Sequence, residues 1–133
     1  MNKWFENLYV LEMANNHQGK VSHGKNIITK LGENLADRSV NCAIKFQFRD
    51  LDTFIHPDFM ESDAKHIPRF LGTRLKKQEF DALIKHTKKN GFLAIATPFD
   101  ERSVEQCLEL GIDIIKVASC SSGDWPLLEA VCA

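Results

Sequence analysis

The chain has 133 residues, 44% of them apolar and 26% charged, which fits a folded domain and excludes intrinsic disorder. Lys and Arg total 17 against 18 Asp and Glu, a net charge of −1, so neither nucleic acid nor a membrane surface is bound through bulk positive charge. No apolar run approaches the ~20 residues that span a bilayer, the first residues lack a signal peptide's apolar core, and the 4 cysteines form no C-x-x-C pair. The reading is a cytoplasmic protein with reduced thiols.

Leu8 to Met13 is a short apolar run, a candidate strand, followed by the polar loop Asn15-Asn16-His17-Gln18-Gly19. Ser22 is placed to cap a helix reaching about Asp37, with Ile27, Ile28, Leu31 and Leu35 on one face. Cys42 to Phe48 alternates: Cys42, Ile44, Phe46 and Phe48 point one way, and Ala43, Lys45 and Gln47 the other. Arg49 to Thr73 is too irregular for one element and reads as an ordered excursion with a short helix. Lys76 to Asn90 is an amphipathic helix with Phe80, Leu83, Ile84 and Thr87 inward, lysines in its last turns and Gly91 as its stop. Phe92 to Thr97 is a buried strand. Asp100 caps a helix over about Glu101 to Leu110, with Val104, Cys107 and Leu108 inward. Asp113 to Ser119 is a further strand, and Asp124 starts a last helix that tolerates Pro126 in its first turn.

The order β-α-β-α-β-α-β-α implies parallel strands joined by right-handed crossovers. Two architectures fit it: an open doubly wound sheet, or the first half of a (β/α)8 barrel.

Each strand carries polar residues at or near its C-terminal end, where parallel α/β folds bind ligands: Glu12, then Lys45 and Gln47, then Thr97, then Lys116 and Ser119. Lysine within an apolar strand needs a partner. Either Lys45 and Lys116 share an anionic ligand, or each pairs with a buried acid, Lys45 with Glu12 for example. Gly19 to Lys25 matches the G-x-x-x-x-G-K part of a phosphate-binding loop, but Asn26 stands where a Ser or Thr would hold magnesium, and an ordinary loop and first helical turn is the simpler reading. His17 is singled out among the histidines by its place in the loop after the first strand. No second histidine stands at a metal-ligand spacing. Asp50 and Asp52 read as turn caps, and Cys120 as a spectator thiol.

Together these residues resemble the N-acetylneuraminate synthase (sialic acid synthase) family. Glu12-Met13-Ala14-Asn15-Asn16-His17-Gln18-Gly19 is similar to the family's E-I-G-x-N-H-x-G, Lys45-Phe46-Gln47 to its K-x-Q strand, Thr97-Pro98-Phe99-Asp100 to its T-P-F loop, and Lys116-Val117-Ala118-Ser119 with Pro126-Leu127-Leu128 to its K-I-x-S and P-L segment. The resemblance implies a TIM barrel, of which residues 1–133 are the first four βα units, without the small antifreeze-like domain that usually follows. It implies condensation of phosphoenolpyruvate with the open-chain aldehyde of an N-acyl sugar, for surface polysaccharide biosynthesis. A divalent metal, manganese or magnesium, is expected for the complete enzyme, its histidine ligands coming from later strands.

By the same resemblance Glu12, Lys45 and Lys116 are catalytic, with Lys45, Thr97, Lys116 and Ser119 holding the phosphate and carboxylate of phosphoenolpyruvate. Gln47 lies beside metal and substrate. Asn16, His17 and Ser121 complete the substrate contacts. Where the family often has an acid two places beyond the Ser, this chain has Ser121, which opens the specificity to a different sugar or sugar nucleotide. A homo-oligomer is compatible with this reading. The alternatives are another TIM-barrel aldolase or lyase working through a lysine imine, and a non-catalytic sugar-phosphate-binding protein. Complete barrels run to about 250 residues, so this sequence is expected to need its other half, or a partner, to be stable and to work.

Overall fold

A computed structural model describes residues 5–35 and 40–133. Its regular elements are β1 (Leu8–Glu12), α1 (Val21–Leu35), β2 (Asn41–Phe48), α2 (Leu51–Phe54), α3 (Ile67–Gly72), α4 (Lys77–Lys89), β3 (Leu93–Pro98), α5 (Glu101–Glu109), β4 (Ile114–Ile115) and α6 (Trp125–Cys132). The strands form one parallel sheet in the order β1-β2-β3-β4. That order decides between the two architectures left open by the sequence. A doubly wound sheet reverses its strand order at a switch point, whereas a barrel lays each strand beside the one before it. The chain follows the barrel rule through all its described strands.

The two faces of the sheet follow from the side-chain alternation. Toward the helices lie Cys42, Ile44, Phe46, Phe48, Ala94 and Ala96, packed with Ile28 of α1, Phe80, Leu83 and Ile84 of α4, and Cys107 of α5. Burial pushes the Cys107 thiol up to about 12. Gly24 brings α1 onto α4: a Cβ there would lie 2.8 Å from Leu83 Cδ2 and 3.2 Å from His17 Cβ. Thr87, buried in the same layer, donates its hydroxyl to the Leu83 carbonyl at 2.9 Å, whereas the buried Ser103 hydroxyl of α5 has no partner among the described residues. Asp100 and Asp124 cap α5 and α6 by accepting from Ser103 N and Leu127 N. No helix among the described residues is long and apolar enough to cross a membrane.

Several boundaries differ from the sequence reading. Helix α1 begins at Val21, because Gly24 N already donates to Lys20 O at 3.0 Å, so Ser22 lies inside the first turn instead of capping it. Its expected end at Asp37 falls outside the described residues. The excursion holds two short helices, α2 and α3, with a 3-10 turn at Pro57–Phe59 between them. Asp50 and Asp52 make ion pairs, with Arg102 and Arg74 at 3.0 and 2.5 Å, and Asp50 makes no side-chain cap bond to α2. Leu108 is 69% exposed, not inward. Helix α5 buries the narrow stripe Ser103, Val104 and Cys107, and one residue beyond Cys107 is about 100° further round the helix. Strand β4 is paired only at Ile114–Ile115, because its ladder to β3 ends where Lys116 N donates to Ala96 O and the chain then bends into a 3-10 turn at Ser119–Ser121.

Candidate functional site

The face of the sheet away from the helices carries the polar residues. The register sets Glu12 beside Lys45, and Gln47 beside Thr97. Ile95 pairs with Ile114 and Ala96 with Ile115. Lys116 follows directly, anchored by its N–H to Ala96 O at 2.8 Å. By alternation Glu12, Lys45, Gln47, Thr97 and Lys116 therefore share one face, in a band near the C-terminal ends of the strands.

Lys45 Nζ lies 2.6 Å from Glu12 Oε2, the acid partner that one of the two sequence readings named. The lysine is largely covered and the carboxylate is half-exposed. Lys116 is exposed, with no ion-pair partner among the described residues. Thr97 is 2% exposed, yet its Oγ1 has no hydrogen-bond partner among them. A buried hydroxyl without a partner is uncommon in folded proteins and marks a place where a ligand or water completes the bonding.

Arg49 was not singled out by the sequence. It follows β2 and points along the same face as Gln47. Its two terminal nitrogens both donate to Gln47 Oε1 at 3.1 Å. Its guanidinium lies 3.8 Å from the Phe99 ring centroid, 4.4 Å from that of Phe70 and 5.8 Å from that of Phe54. Burial, and then the nearby Arg69, pull its pKa below the ordinary arginine value. The signal available in the sequence was the set of phenylalanines in otherwise polar segments.

The loop after β1 borders this end of the band. Asn15, His17, Gln47, Arg49 and Thr73 line a small pocket. Ala14, Gln18 and Gly19 all have positive φ, and a Cβ on Gly19 would sit 2.9 Å from the Gly72 carbonyl oxygen. Asn15 Nδ2 donates to Thr73 Oγ1 at 2.6 Å, tying the loop to the excursion. His17 is buried, its Nδ1 accepts from Gly19 N at 3.1 Å, and its ring meets the edge of Phe80. Desolvation lowers its pKa, opposed by Glu79 and assisted by His23. Asn16 is exposed and bonds the Glu12 carbonyl at 3.3 Å. Ser119 is exposed at the start of the 3-10 turn after β4, and Ser121 is buried at its end. Among the described residues, no hydrogen bond joins either serine to the strands; their bonds stay within residues 118–124. The Gly19–Lys25 segment is a turn and the start of α1, as the simpler reading of it had it. Among the described residues no group of three His, Cys, Asp or Glu side chains is placed to hold a metal ion.

Sequential parallel strands covered by helices on one face, with charged and polar groups banded across the other near the strand ends, define a (β/α)-barrel type of chain, a class that binds its ligands at the C-terminal ends of the strands. The NeuB family model matches residues 34–133, and the chain belongs to that family. It is 29% identical over 122 residues to an uncharacterised protein of Methanocaldococcus jannaschii, covering 92% of this chain and 33% of that protein. It is also 29% identical to the N,N'-diacetyllegionaminic acid synthase of Campylobacter jejuni, covering 93% of this chain and 38% of the synthase. Among solved structures it is similar to a spore coat polysaccharide biosynthesis protein E of Chromobacterium violaceum, with TM-score 0.92, 46% identity, and coverage of 95% of this chain and 38% of that one. The N-acetylneuraminic acid (sialic acid) synthetase of Leptospira borgpetersenii aligns with TM-score 0.68 and 27% identity, over 93% of this chain and 40% of that one. The chain therefore spans between a third and two fifths of the length of these relatives.

Proposed function

We propose that the chain supplies the phosphoenolpyruvate-binding part of a synthase that joins phosphoenolpyruvate to an open-chain N-acyl sugar aldehyde, giving a sialic-acid-like nonulosonate for surface polysaccharide. The observation that carries this reading is the registered band Lys45–Gln47–Thr97–Lys116 on one face, with an unpartnered buried hydroxyl inside it. In the reaction C3 of phosphoenolpyruvate bonds to the aldehyde carbon, whose oxygen takes up a proton. Water then adds at C2, and phosphate leaves with cleavage of its C–O bond.

Lys45 and Lys116 hold the phosphate and carboxylate and offset charge as it develops. Thr97 Oγ1 and the Ser119 hydroxyl donate to the same oxygens. Glu12, ion-paired and half-exposed, faces the sugar and exchanges the proton at its oxygen. Asn16, His17 and Ser121 serve the sugar side. A divalent cation, manganese or magnesium, belongs with the complete centre, its ligands with other residues. A cytoplasmic site of action and a homo-oligomer accord with the reading.

An imine-forming aldolase is the weaker reading. Lys116 is exposed and Lys45 is ion-paired, so neither amine sits in the apolar pocket that activates a Schiff-base lysine. The deciding experiment is Lys116→Ala in the full-length protein. Turnover of phosphoenolpyruvate with N-acyl sugars should fall about 100- to 1000-fold, with the unfolding midpoint unchanged. Unaltered kinetics would remove Lys116 from the site, and borohydride trapping of a substrate imine would overturn the mechanism.

A further inference from the structure

We infer that Arg49 is a positioning residue that turns the Gln47 amide so that its NH2 group, and not its carbonyl, faces the substrate. A glutamine can present either a carbonyl acceptor or a two-proton donor. The guanidinium carries donors only, so the amide atom facing it must be the oxygen. Both of its bonds to Arg49 are 3.1 Å long, and together they use the oxygen's two lone pairs. The amide nitrogen donates to nothing among the described residues. It is left beside Thr97 in the register and two residues from Lys45 on the same face.

Stability alone does not account for this arrangement. The guanidinium stacks on Phe99 and Phe70, its Nε is buried without a partner, and no carboxylate is hydrogen-bonded to it among the described residues. An apolar side chain would fill the aromatic slot without the cost of burying a charge. What the arginine adds is a fixed amide orientation. Gln47 then acts as a hydrogen-bond donor to a carboxylate or phosphate oxygen, and its carbonyl is withdrawn from metal ligation.

This inference rests on the phosphoenolpyruvate reading, and one set of titrations separates the two. Phosphoenolpyruvate is titrated into the full-length wild type, Gln47→Ala, Arg49→Met, Arg49→Lys and the double variant Gln47→Ala/Arg49→Met. Each single change should weaken binding about 10- to 100-fold, the range of a hydrogen bond to a charged group. The double variant should bind within about twofold of Gln47→Ala alone, because the arginine acts only through the amide. The Mn2+ activation midpoint should not move in Arg49→Met. Losses that multiply in the double variant would overturn the inference, as would a raised Mn2+ midpoint in Gln47→Ala and Arg49→Met alike. If Arg49→Met does not fold, Arg49→Lys and Phe99→Leu loosen the clamp with the charge retained, and the same non-additivity with Gln47→Ala is required. A wild type that binds no phosphoenolpyruvate overturns the proposed function itself.

Discussion

The two faces of β2 are built by different means. Toward the helices, Cys42, Ile44, Phe46 and Phe48 sit at 7%, 1%, 0% and 1% exposure, each touching many neighbours and depending on no single one. On the other face Lys45 and Gln47 each depend on one named partner: Lys45 on Glu12, and Gln47 on Arg49, which is itself stacked on Phe99. The first arrangement is non-directional and yields free energy of burial. The second is directional and yields orientation. One strand thus separates burial from side-chain orientation at alternate residues, and substitutions at neighbouring positions should fail in different ways.

The largest effect belongs to the helix-side face. Phe46→Ala should cost about 3 to 5 kcal/mol of stability in urea unfolding, whereas its neighbour Lys45→Met should cost far less and act on turnover. The contrast between faces breaks down if both changes lower the urea midpoint equally. Gly24→Ala should cost about 1 to 3 kcal/mol by overpacking α1 on α4. Combining it with Leu83→Ala, which removes the atom 2.8 Å away, should cost less than the sum of the two. Asp100 lies at the boundary of the two regimes, capping α5 through Ser103 N while its other oxygen accepts from Asp50 N at 2.8 Å. Asp100→Ala should cost about 0.5 to 2 kcal/mol, read as a fall in thermal midpoint.

The smallest effect is a pH dependence. Burial holds the folded-state pKa of His17 below the ordinary value of 6.5, so the unfolded chain binds a proton first as pH falls. Stability should be unaffected above 6.5 and should decline below it, as protonation competes for the Nδ1 lone pair that accepts from Gly19. His17→Gln should flatten the thermal midpoint across that window. A curve equally steep in the variant would assign the decline to other groups.

The helix-side face was legible in the sequence because its information is local. The alternation in Cys42–Phe48 and the spacing of Phe80, Leu83, Ile84 and Thr87 both report burial directly: Cys42, Ile44, Phe46, Phe48 and the four helix residues are all buried. The family motifs likewise picked out Glu12, Lys45, Gln47, Thr97 and Lys116, which the register gathers on one face. What escaped was non-local or partial. Arg49 takes its meaning from Phe70 and Phe99, which belong to other segments of the chain. Leu108 is apolar and helical, but α5 offers the core only a narrow stripe. The apolar run around Ile114 looks like a full strand, yet its pairing ends at Ile115 although β3 continues to Pro98, because the chain after Lys116 bends away into the 3-10 turn.

The sequential strand order also sets a timetable. Each strand pairs with the one made just before it, so the sheet can grow in the order of synthesis. The helix-side face of β2 is covered only in part, by Ile28 of α1, until α4 delivers Phe80, Leu83 and Ile84. About fifty residues separate the end of β2 from the end of β3, roughly 3 to 10 seconds at ~5–20 residues per second. During that interval Glu12 and Lys45 are already available to each other, while Gln47 waits for its neighbour Thr97 and Arg49 for its Phe99 stack. The ion pair at one end of the band is thus available first, and the clamp on Gln47 is completed only when the loop after β3 arrives.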